Sequence, residues 1–275
     1  VSEAAFELAG RLTRSGSPSP GPEARIIVAH VLGVEVPRLI AVDDVTAEQQ
    51  RFIDELAERR MAGEPLQHLT GVAYFRHEEL VVGPGVFIPR PETEVMVGWA
   101  LQRLAERDTR RVVELCAGSG AISAALATEL GGLELHAVEV DPEAFAYLER
   151  NLEGRGVDLV RGDMATALPE LDGTVDLVIV NPPYVPEGLR PFLPSDVVEH
   201  DPALALFSGE DGLDAIKVVA AVAMRLLAPG GILATEHDDS HQPGVVETLR
   251  AAGLDQVEPH ADLTGRPRFV TAVRP

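Results

Sequence analysis

The sequence predicts an α/β protein: a seven-stranded, mostly parallel sheet covered by helices, preceded by a small α-helical N-terminal domain. Three observations predict it. From Arg111 onward, apolar and β-branched runs alternate with helical stretches, as parallel strands and crossover helices do. The last two runs share only the tight link "HADLTGRPR", so the final strand pairs antiparallel. Before residue 72 the chain reads as helices.

The elements follow in order. "SEAAFELAGRLTRSG" spaces Phe6, Leu8, Ala9 and Leu12 as one helical face, with Ser2 as its expected N-cap. "SPSPGP" breaks the chain. A second helix opens with Pro22 in its first turn and closes at Gly33. A third begins with a capping box, Thr46 with Gln49, and closes at Gly63. Residues 1–71 form this helical domain. Residues 72–88 form a linker whose "VAYF" and "ELVV" make a hairpin. "ETEVMVGWALQRLAER" is an amphipathic helix opening the large domain, residues 89–275. The strands of that domain are "RVVELCA", "LELHAVEV", "VDLVRGD", "VDLVIV", "GILATEH", "LDQVEPH" and "RFVTAVR".

Bulk properties exclude several classes. The 275 residues carry a formal charge of −21, and Lys217 is the lone lysine among the 23 basic residues. Such acidity repels phosphate, so no direct nucleic-acid partner is expected. No apolar run is long enough to span a membrane. The first ten residues show no signal peptide. A single cysteine, Cys116, excludes an internal disulfide and suits a reducing cytoplasm.

Four stretches carry chemistry. In "ELCAGSGAIS" a strand ends, Gly118 and Gly120 follow, and a helix begins, so backbone can approach a ligand closely. Ser123 stands where a dinucleotide fingerprint has its third glycine. The same pattern also serves as a plain strand-to-helix turn. Glu139 ends the next strand, roughly 19 residues beyond Gly120, where an acid accepts ribose hydroxyls or stands as a simple strand-end acid. Asp141 is the expected cap of the helix opened by Pro142. Asp163 follows the third strand, as an acceptor for an adenine amino group or as a turn cap, with Met164 beside it to cover the ring.

The fourth stretch is "VDLVIVNPPY". Residues before proline are held extended, so Asn181 and Pro182 end their strand rigidly at the ligand-binding edge of the sheet. Asn181 offers a side-chain carbonyl, and Pro182 a backbone carbonyl without a competing N–H. Two fixed acceptors side by side grip both hydrogens of an –NH2 group, and Tyr184 supplies a flat face.

Together these motifs resemble class I S-adenosylmethionine-dependent methyltransferases, with their Rossmann-like seven-stranded sheet, acting on a planar –NH2. "RRMAGEPLQHLTGVAYF", "VFIPRPETE" and "DPALALFSGEDGLD" narrow the resemblance to the HemK/PrmC family of release factor glutamine methyltransferases, over nearly the whole chain. The resemblance implies S-adenosyl-L-methionine as cofactor, S-adenosyl-L-homocysteine as product, and the glutamine of the Gly-Gly-Gln loop of bacterial peptide-chain release factors as substrate. It implies cofactor contacts from Glu114, Cys116, Ala117, Gly118, Gly120, Glu139, Val140, Asp163, Met164 and Asn181. It implies substrate contacts from Asn181, Pro182, Pro183, Tyr184, Phe87 and Arg90, with Asn181, Pro182 and Tyr184 catalytic. It implies substrate recognition by the N-terminal domain. The alternatives are an adenine-amino methyltransferase on nucleic acid and a ribosomal-protein glutamine methyltransferase. The chain departs from the family's D-x-G-x-G-x-G at Glu114, Cys116 and Ala117, and from its E-H-G at Asp238. No metal is expected. His237 and His241 are spaced as helical ligands would be, but they follow a strand.

Overall fold

The computed structural model describes residues 1–107 and 110–275. Contacts divide them into two units: Val1–Val72 with Pro194–His200, and Ala73–Leu193 with Asp201–Pro275.

The first unit is helical. Helices α1 (Ser2–Arg14), α2 (Pro20–Leu32) and α3 (Ala47–Met61) bury Leu8, Leu12, Ala24, Ile27, Val28, Ile53 and Ala57 against one another. A short α4 (Leu66–Thr70) follows. The capping box is formed: Thr46 accepts from the Gln49 N–H, and Gln49 accepts in return from the Thr46 N–H. One helix start differs from expectation. Ser2 is the first helical residue of α1, and Val1 takes the cap position. Helix α2 begins two residues before Pro22, at Pro20, with Pro22 in its first turn and Gly33 at its end as expected. The half-buried Arg60 grips the buried Glu23 with two nitrogens, at 2.9 and 3.1 Å.

The second unit opens with the expected hairpin, β1 (Val72–Phe75) and β2 (Glu78–Val81). Helix α5 (Thr93–Ala105) leads into β3 (Arg111–Leu115), α6 (Ala121–Glu129), β4 (Glu134–Glu139), α7 (Pro142–Leu152), β5 (Val157–Arg161) and β6 (Val175–Val180). After β6 come a 3-10 turn, Glu187–Phe192, the helix α8 (Ser195–His200), which belongs to the first unit, and then α9 (Ala203–Leu206) and α10 (Asp214–Leu226) of the second. Then come β7 (Leu227–Glu236), α11 (Gln242–Ala251), β8 (Asp255–Ala261) and β9 (Pro267–Val273).

The seven-stranded sheet runs β5-β4-β3-β6-β7-β9-β8. Strands β3 to β7 are parallel, and β9 is antiparallel to both neighbours. Alternation divides its core. Val112, Leu177 and Ile179 pack with α5 and α6 residues such as Met96 and Ala124. Val113, Leu115, Val178 and Val180 pack with α10 and α11 residues such as Ile216, Val219 and Leu249. Both faces are covered, so the strands read as continuous apolar runs. Chain order leaves β3 outward through β4 and β5, then returns on the other side of β3 as β6. The switch point therefore lies between β3 and β6, where open α/β sheets bind ligands. No helix among the described residues is long and apolar enough to cross a membrane.

Candidate active site

Leu115 pairs in register with Val180, so the glycine turn after β3 and Asn181 after β6 leave the sheet side by side. Two prolines after Asn181 keep β6 from continuing.

The glycine turn is built despite its departures. Cys116 takes φ 53°, the left-handed conformation that a glycine adopts freely, at a cost of about 1 kcal/mol. Its Sγ lies 3.7 Å from Met164 Sδ, which draws the loop after β5 to the turn. Burial, with the Glu139, Glu114 and Asp163 carboxylates, pushes the Cys116 thiol well above its usual range. It is a packing group, not a nucleophile. Gly118 has φ 55°, and a side chain there would meet nothing within 4 Å, so the turn is open on that side. At Gly120 an added Cβ would stand 2.8 Å from Leu148 Cδ1; this glycine lets α6 pack against α7.

Gly120 caps α6 without a side chain, and Glu114 supplies what is missing. Its Oε2 accepts the Ser123 N–H at 2.9 Å and the Ser123 hydroxyl, placing a carboxyl at the helix N-terminus. Full burial raises its pKa to about 8 against those hydrogen bonds. The structure thus gives Glu114 a structural task beneath the turn.

Glu139 binds the turn from the next strand. Its Oε2 accepts the Gly118 N–H at 2.8 Å, and its Oε1 accepts the Val140 and Asp141 N–H groups, each at 2.8 Å. Asp141 caps α7 by accepting the Glu143 N–H at 2.8 Å. Asp163 Oδ1 accepts the Ala165 N–H at 2.9 Å, so it closes its own turn while standing beside Cys116 and Met164.

At the end of β6, Pro182 is buried, and Asn181, Pro183 and Tyr184 are half-buried. Asn181 Nδ2 donates to Thr93 Oγ1 at 3.4 Å. Thr93, buried at the start of α5, donates to Glu236 Oε2 at 2.6 Å. The Tyr184 hydroxyl donates to Glu236 Oε1 at 3.5 Å. Burial pushes Glu236 up to about 7, opposed by the Thr93 hydrogen bond and the Arg268 charge. Burial and the Glu236 charge hold the Tyr184 hydroxyl protonated well beyond its ordinary range. Thr93 and Glu236 were not among the expected site residues. A signal existed: Thr93 lies inside the quoted "IPRPETE", and Glu236 ends the strand beside β6.

Arg90 sits with its guanidinium 4.9 Å from the Phe87 ring centre and 2.7 Å from the buried Asp201 carboxylate. His237 Nδ1 lies 2.7 Å from the Asp238 carbonyl oxygen. Asp238, at the family's glycine position, accepts from the Ser240 N–H and hydroxyl at 3.0 and 2.5 Å.

An open glycine turn tied to an acid on one neighbouring strand, with an asparagine and two prolines ending the other, belongs on this sheet to a class I methyltransferase. Solved structures share the fold. The catalytic domain of hMettl16, in complex with MAT2A 3′UTR hairpin 6, matches with TM-score 0.57 at 19% identity, covering 71% of this chain and 75% of that one. A methyltransferase from Pyrococcus furiosus matches with TM-score 0.52 at 20% identity, covering 71% and 88%. The family described as the PrmC N-terminal domain matches residues 3–71, and the methyltransferase small domain matches residues 82–192. Release factor glutamine methyltransferases from Streptomyces coelicolor and Mycolicibacterium smegmatis are 47% and 45% identical, covering 95% and 96% of this chain and 94% of each relative. The 4-amino-L-phenylalanine/4-methylamino-L-phenylalanine methyltransferase of Streptomyces pristinaespiralis is 39% identical, covering 92% of this chain and 88% of its own length. The chain belongs to the release factor glutamine methyltransferase family.

Proposed function

We propose that the protein transfers a methyl group from S-adenosyl-L-methionine to the side-chain amide nitrogen of the glutamine in the Gly-Gly-Gln loop of peptide-chain release factors. The observation that carries this is the Asn181–Pro182 pair of acceptors at the end of β6, one strand from the open turn at Gly118. The names of the Streptomyces coelicolor and Mycolicibacterium smegmatis relatives support the substrate.

The residues present fit the cofactor. Gly118 borders open space, and Glu139 and Asp163 offer carboxylate acceptors at the neighbouring strand ends. Glu139 spends three of its roughly four acceptor sites on backbone N–H groups, leaving capacity for a ribose hydroxyl. Cys116, Ala117, Val140 and Met164 form the walls, while Glu114 and Gly120 hold the turn from beneath. The bound cofactor supplies an activated methyl group on a positively charged sulfur.

The protein's share is orientation. A glutamine amide nitrogen is a poor nucleophile, because its lone pair is delocalised into the carbonyl. Asn181 Oδ1 and the Pro182 carbonyl accept its two N–H groups and aim the nitrogen. Those hydrogen bonds strengthen as the nitrogen gains positive charge, which favours the transition state over the bound substrate. Tyr184, tethered at its hydroxyl by Glu236, covers the amide plane. Pro183, Phe87 and Arg90 complete the substrate wall. No side chain is assigned as a base, since the proton leaves after transfer. Residues 1–71 recognise the release factor, residues 72–88 link, and residues 89–275 catalyse. A cytoplasmic location follows from that partner.

A second activity, methylation of an arylamine, is favoured by the Streptomyces pristinaespiralis relative, because the same two acceptors grip any planar –NH2. One experiment separates them. The protein is incubated with labelled S-adenosyl-L-methionine and, in parallel, with release factor, ribosomal protein, nucleic acid or 4-amino-L-phenylalanine. One added methyl on the loop glutamine, located by mass spectrometry, is expected. Transfer to another acceptor alone overturns the proposal.

A further inference from the structure

We infer that Thr93 and Glu236 are positioning residues that set which way the Asn181 amide faces, so that its oxygen rather than its nitrogen meets the substrate. This inference rests on the assignment of Asn181 as the substrate grip.

An asparagine amide has an acceptor end and a donor end of nearly the same shape. Turned the wrong way, Asn181 would present N–H groups to a substrate –NH2 and repel it. The two prolines hold the Asn181 backbone but say nothing about its side chain. The orientation comes from the third side chain in the row. Thr93 has one hydroxyl hydrogen, and the buried Glu236 carboxylate takes it at 2.6 Å. Thr93 is left with only lone pairs to offer Asn181. Asn181 therefore presents Nδ2, at 3.4 Å, and Oδ1 faces away.

Glu236 is itself held. Thr93 and Glu92 face it from the start of α5, Tyr184 from the end of β6, and Arg268 from β9. An ionised carboxylate can only accept, so its charge fixes the direction of every hydrogen bond in the row. Thr93 touches neither substrate nor cofactor in this scheme.

The test uses the intact protein at pH 8, above the Glu236 pKa of about 7. Thr93→Val keeps the shape and removes the hydroxyl; Thr93→Ser keeps the hydroxyl. We expect Thr93→Val to lower kcat on release factor roughly 10- to 100-fold, with KM for S-adenosyl-L-methionine within twofold. Thr93→Ser should stay within about threefold of wild type. Glu236→Gln, which removes the charge that directs the row, should also lower kcat; it serves if Thr93→Val does not fold. A second readout needs no turnover. The chain has only two asparagines, Asn151 and Asn181. Asn151 is pinned elsewhere by Val81 and Ser119, at 2.8–2.9 Å. In protein labelled with 15N-asparagine, Thr93→Val should move the Asn181 side-chain NH2 signals and leave those of Asn151 in place. Unmoved Asn181 signals, or wild-type kcat in both Thr93→Val and Glu236→Gln, would overturn the inference. If wild type itself fails to methylate release factor, the proposed function falls instead, and the NMR signals still decide whether Thr93 orients Asn181.

Discussion

Glu139 Oε2 accepts the Gly118 amide hydrogen at 2.8 Å, so the acid that ends β4 holds the glycine turn that ends β3. The same carboxylate takes the Val140 and Asp141 N–H groups. On the proposed function, replacing Glu139 removes a ribose acceptor as well as the hydrogen bonds that hold the glycine turn. Glu139→Ala should weaken S-adenosyl-L-methionine binding by roughly 1–3 kcal/mol. Isothermal titration calorimetry checks this, and unchanged affinity in a folded variant takes Glu139 out of the site.

Asn181→Ala should leave the fold and the cofactor affinity nearly intact, because the cradle is built from β3, β4 and β5. Methyl transfer should drop by about 10²–10³, the usual cost of one preorganised hydrogen-bonding group. Asn181→Asp retains an acceptor and should retain part of the activity. Single-turnover methylation of release factor decides; a wild-type rate in Asn181→Ala would mean that "NPPY" does not grip the substrate.

Glu114 makes stability depend on pH. Burial raises its folded pKa to about 8, whereas its ordinary value is 4.5. Between those values the unfolded chain releases a proton that the folded chain keeps, so this group's contribution is whole below about pH 4.5 and is lost as pH rises towards 8. Glu114→Gln mimics the protonated form and has nothing to release. The variant should gain on wild type by up to roughly 4–5 kcal/mol between pH 4.5 and 8. Urea unfolding at the two ends of that window measures it; a constant difference would show that Glu114 is ionised in the folded protein.

Cys116 should resist alkylation. Its thiol pKa lies far above the assay pH, so little thiolate exists at pH 8. Native protein should react with iodoacetamide at less than about a tenth of the rate of unfolded protein, as followed by mass increase. Cys116→Gly, which adopts φ 53° without strain, should keep activity within a few-fold. Fast native labelling would show that the thiol of this half-buried side chain titrates near its ordinary range.

The alternation of strands and helices from Arg111 onward determined the sheet, because its strands are buried on both faces and must be apolar along their whole length. Local chemistry likewise determined the Thr46–Gln49 box and the Asp141 cap, which involve neighbours in the chain. The expected cap at Ser2 failed for the same local reason: one residue of extra helix is worth too little to be read from sequence. The place of Asn181, Pro182 and Tyr184 at the end of β6 was legible because two prolines after an amide stop the strand there. What only the tertiary structure decided is the set of partners. Thr93 and Glu236 are 143 residues apart and meet because α5 packs beside the end of β7. Glu114, expected from the resemblance to contact the cofactor, caps α6 from below, since its side chain points into the core. A residue's type and neighbours along the chain state what it can bond; which group it does bond depends on contacts that form only when distant segments pack.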